Sequence, residues 1–189
     1  GDSITDPNYN KNLEIRYPKY ITDNLRANEI NYAISGSTFA IKDNEPTSRS
    51  PIISRYQDMD DNADIVIIAA GTNDWYYSWT PIGDMNSREN NTFYGALHNL
   101  CLGLKNKYKG KTILFMTPIM RRQGSHQSPN DTNNYGKTLK DYGDIIKEVC
   151  SYYSIITLDM YAESNLFPFN DELAKYSYLE QGNIGEYYY

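Results

Sequence analysis

Ile65-Val66-Ile67-Ile68-Ala69-Ala70-Gly71-Thr72-Asn73-Asp74 decides the fold of this 189-residue chain. Six apolar residues in succession, without the alternation of a half-exposed strand, predict a strand of a parallel sheet covered on both faces. The run stops at a glycine-containing polar turn. Downstream, Ile113 to Met116 repeats the pattern of a short buried strand and Ile155 to Leu158 reads as a last strand, while upstream Ile30 to Ile34 reads as a strand ending at Ser35-Gly36. Between the strands the period changes. Phe93, Leu97, Leu100, Cys101, Leu104 and Tyr108 fall at helical spacing within 91–108, and Leu139, Tyr142, Ile145, Ile146, Val149, Cys150 and Tyr153 do so further on. Pro18 sits where a helix would begin, with Ile21 and Leu25 marking its face up to about Asn28, and Pro51 opens a second short helix. Strand and helix alternate, which predicts right-handed βαβ crossovers and an α/β domain with helices on both faces of a parallel sheet.

Three polar turns interrupt this framework: Gly1-Asp2-Ser3-Ile4-Thr5, Asn31-Tyr32-Ala33-Ile34-Ser35-Gly36-Ser37 and Gly71-Thr72-Asn73-Asp74. In order they offer a serine, a glycine amide and an asparagine amide. With these blocks the chain resembles the SGNH hydrolases, also called the GDSL esterase/lipase family. The resemblance implies a three-layer α/β/α fold with a flavodoxin-like sheet of order 2-1-3-4-5, whose ligands gather outside the carboxyl ends of the strands. It also implies that Ser3 is a nucleophile and that the N–H groups of Ser3 and Gly36 with the Asn73 side-chain amide form an oxyanion hole. A side chain at position 36 would block close backbone approach, and an asparagine amide donates without carrying charge. Asp2 and Asp74 are expected to hold their turns by side-chain to backbone bonds.

The sequence departs from the family at the base. The resemblance calls for an Asp-x-x-His block after the last strand, but Asp159 is followed by Met160-Tyr161-Ala162-Glu163-Ser164, and no histidine occurs beyond His126. It also calls for a hydrophobic strand ahead of Gly-Asp-Ser. The expectation is therefore a single domain over 1–189, truncated at both ends, with the Tyr187 to Tyr189 tail uninterpretable. His98, on the 91–108 helix, reads as a solvent-facing flank residue. His126, in the 121–134 loop that leaves the third strand at the functional edge, reads as a substrate contact or a stand-in for the base, with a plain surface-loop histidine as the alternative.

Composition sets outer limits. Eighteen Lys and Arg against twenty-four Asp and Glu give a net charge of −6, which argues against nucleic acid or an anionic membrane surface as partner. No apolar run approaches the ~20 residues that span a bilayer. Cys101 and Cys150 both lie on apolar helix faces, where a free thiol behaves as a small buried hydrophobe. No cluster of His, Cys or carboxylates suggests a metal, and no cofactor is called for. Trp75, Tyr76, Tyr77 and Trp79 follow Asn73 directly; Trp75 and Tyr76 read as substrate contacts, with packing onto the domain as the equal alternative. The expected function is a serine ester hydrolase acting on a small acyl ester or acetylated carbohydrate. The alternative is a binding module that keeps the cleft without the base, or a fragment that lacks the base histidine. Compartment and oligomeric state stay open, cytoplasmic or secreted, since any signal would precede residue 1.

Overall fold

The computed structural model describes residues 1–8, 16–43, 45, 47, 49–122 and 124–173. Helix α1 (Tyr17–Leu25) carries Pro18 in its first turn and ends where Arg26 turns left-handed at φ 51°, three residues short of the predicted Asn28. Helix α2 (Ile52–Arg55) follows Pro51 and buries Ile52 and Ile53. Strand β1 (Ile65–Ala69) leads through Gly71 into helix α3 (Thr72–Tyr77). Helix α4 (Phe93–Lys107) is capped by Thr92, whose Oγ1 accepts from Gly95 N–H at 3.1 Å, and carries Lys105 and Lys107 in its last turn, where cations suit the helix dipole. Strand β2 (Thr112–Met116) follows, then helix α5 (Leu139–Tyr152). A reciprocal capping box opens α5: Asp141 N–H donates to Thr138 Oγ1 at 3.2 Å and Thr138 N–H to Asp141 Oδ2 at 2.7 Å. Strand β3 (Ile156–Leu158) and helix α6 (Met160–Glu163) complete the described elements.

The strands form a parallel sheet in the order β1-β2-β3, with Val66 opposite Ile113, Ile68 opposite Phe115 and Phe115 opposite Thr157. With its flanking helices this is a three-layer α/β/α arrangement. Successive right-handed crossovers in one direction put α4 and α5 side by side on one face. There Phe93, Leu97, Leu100 and Leu104 of α4 meet Tyr142, Ile146 and Val149 of α5 over the sheet. Phe39 reaches this core from the loop after Gly36, 5.9 Å from the Phe93 ring and 6.3 Å from that of Phe115. Cys101 and Cys150 are buried free thiols within it.

Two readings are corrected. Residues 30–34 do not form a strand. A cleft of about 600 Å³, lined by Ile21, Leu25, Ala33, Val66 and Ile68, separates them from β1, so no ladder is within reach, although Ile34 N–H does donate to the Gly1 carbonyl at 3.1 Å. His98 is fully buried, not solvent-facing. The end of α5 folds over that flank of α4, placing Tyr153 Oη 3.1 Å from His98 Nδ1 and the Tyr152 ring at 5.6 Å. Burial and the Arg88 charge hold this imidazole below its ordinary pKa. No helix among the described residues is long and apolar enough to cross a membrane.

Candidate active site

The Ser3 turn is closed by its own backbone. The Asp2 carbonyl accepts from Thr5 N–H at 3.1 Å and Asp6 N–H at 3.0 Å, while Asp2 Oδ1 takes Ile4 N–H at 3.1 Å. Ser3 is buried at the centre of this turn. Burial pushes the Asp2 carboxyl above its ordinary pKa, with the Ile4 N–H and the Arg121 charge opposing. Asp6 Oδ1 accepts from Asn8 N–H at 2.7 Å, and Oδ2 reaches across to Ser35 N–H, also at 2.7 Å. The serine turn and the Ser35-Gly36 turn are therefore joined by a short charge-assisted bond.

Gly36 has φ +80°, a conformation that favours glycine, and a Cβ there would meet the Arg49 side chain. Beyond it, the Ser37 carbonyl accepts from Asn73 Nδ2 at 2.9 Å. One amide hydrogen of Asn73 is spent fixing the side chain, and the geometry of a primary amide leaves a second to donate. Asp74 anchors the same loop further along: Phe39 N–H bonds Oδ1 at 3.0 Å and Oδ2 at 2.9 Å, and Ala40 N–H bonds Oδ1 at 3.2 Å. Complete burial pushes the Asp74 carboxyl up to about 7 against the pull of those N–H groups. Ser37 Oγ donates to the Ser50 carbonyl at 3.2 Å and accepts from Arg55 Nη2 at 2.8 Å. The Ser3 turn, the Ser35-Gly36 turn and the start of α3, which carries Asn73, are thus stitched together by Asp6, Ser37 and Asp74. Sequence patterning did not single out Asp6, Ser37 or Arg55; the only local signal was the abundance of Asp and Ser in turns.

The aromatic segment divides. Trp75 turns inward on α3, 2 % exposed, and its Nε1–H donates to the Lys137 carbonyl at 3.1 Å. It is therefore a packing residue, the alternative weighed with substrate contact from sequence. Tyr76 and Tyr77 are half-buried, and Trp79 is exposed and stacked on Tyr77 at 4.5 Å. The loop leaving β2 lies against this segment, with the His126 ring 4.4 Å from Trp75 and 6.0 Å from Tyr76, and the Arg121 guanidinium 5.7 Å above Tyr76. His126 Nδ1 is buried without a hydrogen-bond partner among the described residues.

Residues 1–182 match the family model described as GDSL-like lipase/acylhydrolase. The chain belongs to the GDSL-like lipase/acylhydrolase family. This GDSL-like chain is similar in structure to a protein from Lactobacillus plantarum at 26% identity and a TM-score of 0.81, covering 95% of this chain and 83% of that one. It also resembles a possible lipase from Chitinophaga pinensis, at 21% identity and a TM-score of 0.72 over 88% of this chain and 68% of that one. An acetyl xylan esterase shares the fold at 16% identity and a TM-score of 0.59, covering 85% of this chain and 74% of the other. No curated protein matches the GDSL-like chain.

Proposed function

We propose that this chain is a serine ester hydrolase of small acyl or acetyl esters, with Ser3 as nucleophile. Ser3 Oγ attacks the ester carbonyl, and the N–H groups of Ser3 and Gly36 with Asn73 Nδ2–H receive the oxyanion. The alcohol leaves with a proton to give an acyl-serine, which water then hydrolyses to free the acid and restore Ser3. The observation that carries this reading is the stitching of the three turns: Asp6 to Ser35 and Asn73 to Ser37 bracket Gly36 between the serine turn and α3. Donors fixed in advance stabilise developing charge without reorganising, and losing one typically costs about 10²–10³ in rate. The acetyl xylan esterase among the structural neighbours is in keeping with an acetylated substrate. Tyr76 and His126, whose rings lie 6.0 Å apart, serve as substrate contacts.

The proton acceptor separates this reading from a second one. The sequence has two histidines, and His98 is walled in by Tyr152 and Tyr153. His126 packs against Trp75, which favours a binding module as the second reading. Hydrolysis of p-nitrophenyl acetate by the chain and by Ser3→Ala, both verified as folded by circular dichroism, decides between them. Loss of activity with Ser3 is the expected result, and His126→Ala then reports whether that imidazole takes the proton. Equal background rates in two folded proteins would leave a truncated or binding-only relative.

A further inference from the structure

Arg49 stands over the glycine of the proposed oxyanion hole. Its Nη1 lies 3.0 Å from the point a Gly36 Cβ would occupy. The guanidinium carbon is 4.2 Å from the Tyr77 ring centre and 5.2 Å from that of Trp79, and the two rings stack at 25° to each other. Trp79 also carries Lys42 Nζ at 4.7 Å, an ammonium already paired with Glu45 at 2.5 Å. Arg49 is exposed, and among the described residues no carboxylate pairs with it, in a chain with more acidic than basic groups. The backbone here is unusual as well: Arg49 and Ser50 are consecutive non-glycine residues in the left-handed region, at φ 59° and 40°. Such a conformation costs about 1–2 kcal/mol per residue.

These aromatic rings do not offer a bare platform to a neutral sugar. The Tyr77 face is covered by the guanidinium, and Trp79 is shared between Tyr77, Arg49 and Lys42. Their role is to hold a cation beside Gly36, one whose N–H groups no carboxylate takes among the described residues. A fixed guanidinium fork matches a carboxylate in two-point contact. We infer that Arg49 is a specificity residue that receives a carboxylate carried by the substrate within a few bonds of the scissile ester. The inference rests on the Ser3–Gly36–Asn73 reading above, because that reading puts the ester beside Gly36.

The carboxylate can belong to the alcohol or to the acyl half, and paired substrates distinguish the two. For the alcohol half, 4-carboxyphenyl acetate is compared with methyl 4-acetoxybenzoate; for the acyl half, monoethyl succinate is compared with diethyl succinate. The charged member of one pair should show kcat/KM about 10–100-fold above its neutral partner, the range expected for a charge-assisted hydrogen bond. Arg49→Gln should erase that preference, bringing kcat/KM of the charged ester level with that of its neutral partner, and Arg49→Lys should keep part of it. Equal kcat/KM within both pairs, or a preference that survives Arg49→Gln, would overturn the assignment. If the chain hydrolyses none of the esters, the esterase reading fails and binding decides this one separately. In that case benzoate, but not methyl benzoate, should quench tryptophan fluorescence in the wild-type chain and not in Arg49→Gln, and equal quenching by both probes would refute it.

Discussion

Asp74→Asn removes a buried charge while preserving shape, and its effect should depend on pH in a calculable way. In the folded chain the carboxyl holds its proton up to about pH 7, whereas the ordinary value is 3.8. Between those values the folded state binds more protons than the unfolded one, so the contribution of Asp74 to stability is full below pH 3.8. It is lost as pH rises towards 7 and is constant above. At 1.36 kcal/mol per pH unit, the change across the window is about 4 kcal/mol. An asparagine keeps an oxygen for Phe39 and Ala40 N–H and gives up the 2.9 Å branch from Phe39 to Oδ2, putting an amide nitrogen there instead. That local loss is independent of pH and costs about 1–3 kcal/mol.

Urea unfolding of both proteins from pH 4 to pH 8 reads the difference directly, since every other titrating group is common to the two and cancels. The wild-type advantage at pH 4 should shrink steadily up to pH 7, and near pH 8 Asp74→Asn should equal or exceed the wild type. Parallel stability curves over the whole range would refute the argument. They would mean that the bonds from Phe39 and Ala40 stabilise the carboxylate enough to offset its burial.

Gly71→Ala should destabilise the fold by about 2–4 kcal/mol, because φ is +113° and the new methyl would lie 3.1 Å from Ile146 Cδ1 and 3.2 Å from Pro118 Cγ. Thermal unfolding followed by circular dichroism checks this, and a wild-type Tm would contradict it. Leu100→Ala, at a fully buried position on α4, should cost about 2–5 kcal/mol in urea titrations with p-nitrophenyl acetate activity at low denaturant unchanged, since Leu100 lies further along α4 than Phe93, where the loop carrying Phe39 meets the helix.

The framework was legible because it is encoded locally. The runs at 65–70, 113–116 and 155–158 are strands, although they are not covered on both faces as expected: Val66, Ile68, Ile113 and Phe115 are buried while Ile65, Ile156 and Leu158 are exposed. The helical stripes at 91–108 and 139–153 are α4 and α5 to within two residues at either end. What failed depends on partners far away in the chain. Residues 30–34 have strand composition, but a strand exists only with a neighbour to pair with, and a cleft lies where that neighbour would be. His98 sits at the edge of the α4 stripe, where its neighbours in sequence cannot say whether another element covers it; the end of α5 does. Trp75 follows Asn73 in a polar turn and so reads as a rim residue. Because Thr72 to Tyr77 winds into a helix, it points instead into the core, and Tyr76 and Tyr77 are left at the half-buried surface.

The loop from Ser35 to Ala40 shows why a candidate site is harder to read than a fold. None of its residues belongs to a helix or strand, and its backbone donors are satisfied from outside: Ser35 by Asp6, Phe39 and Ala40 by Asp74. Its Ser37 carbonyl is in turn taken by Asn73. A buried N–H left unpaired costs about 1–3 kcal/mol, so these carboxylates fix the loop as firmly as a ladder would. Their positions in sequence carry no period, because the bonds join residues 29 to 36 apart. Asp6 and Asp74 therefore look like ordinary turn residues until the fold brings them together. The same reasoning covers Arg49, which lies in an irregular polar stretch and acquires a role only when Tyr77 and Trp79 hold it above Gly36. Residues that touch a substrate can be carried over from a motif, whereas those that hold the motif in place must be found in the folded chain.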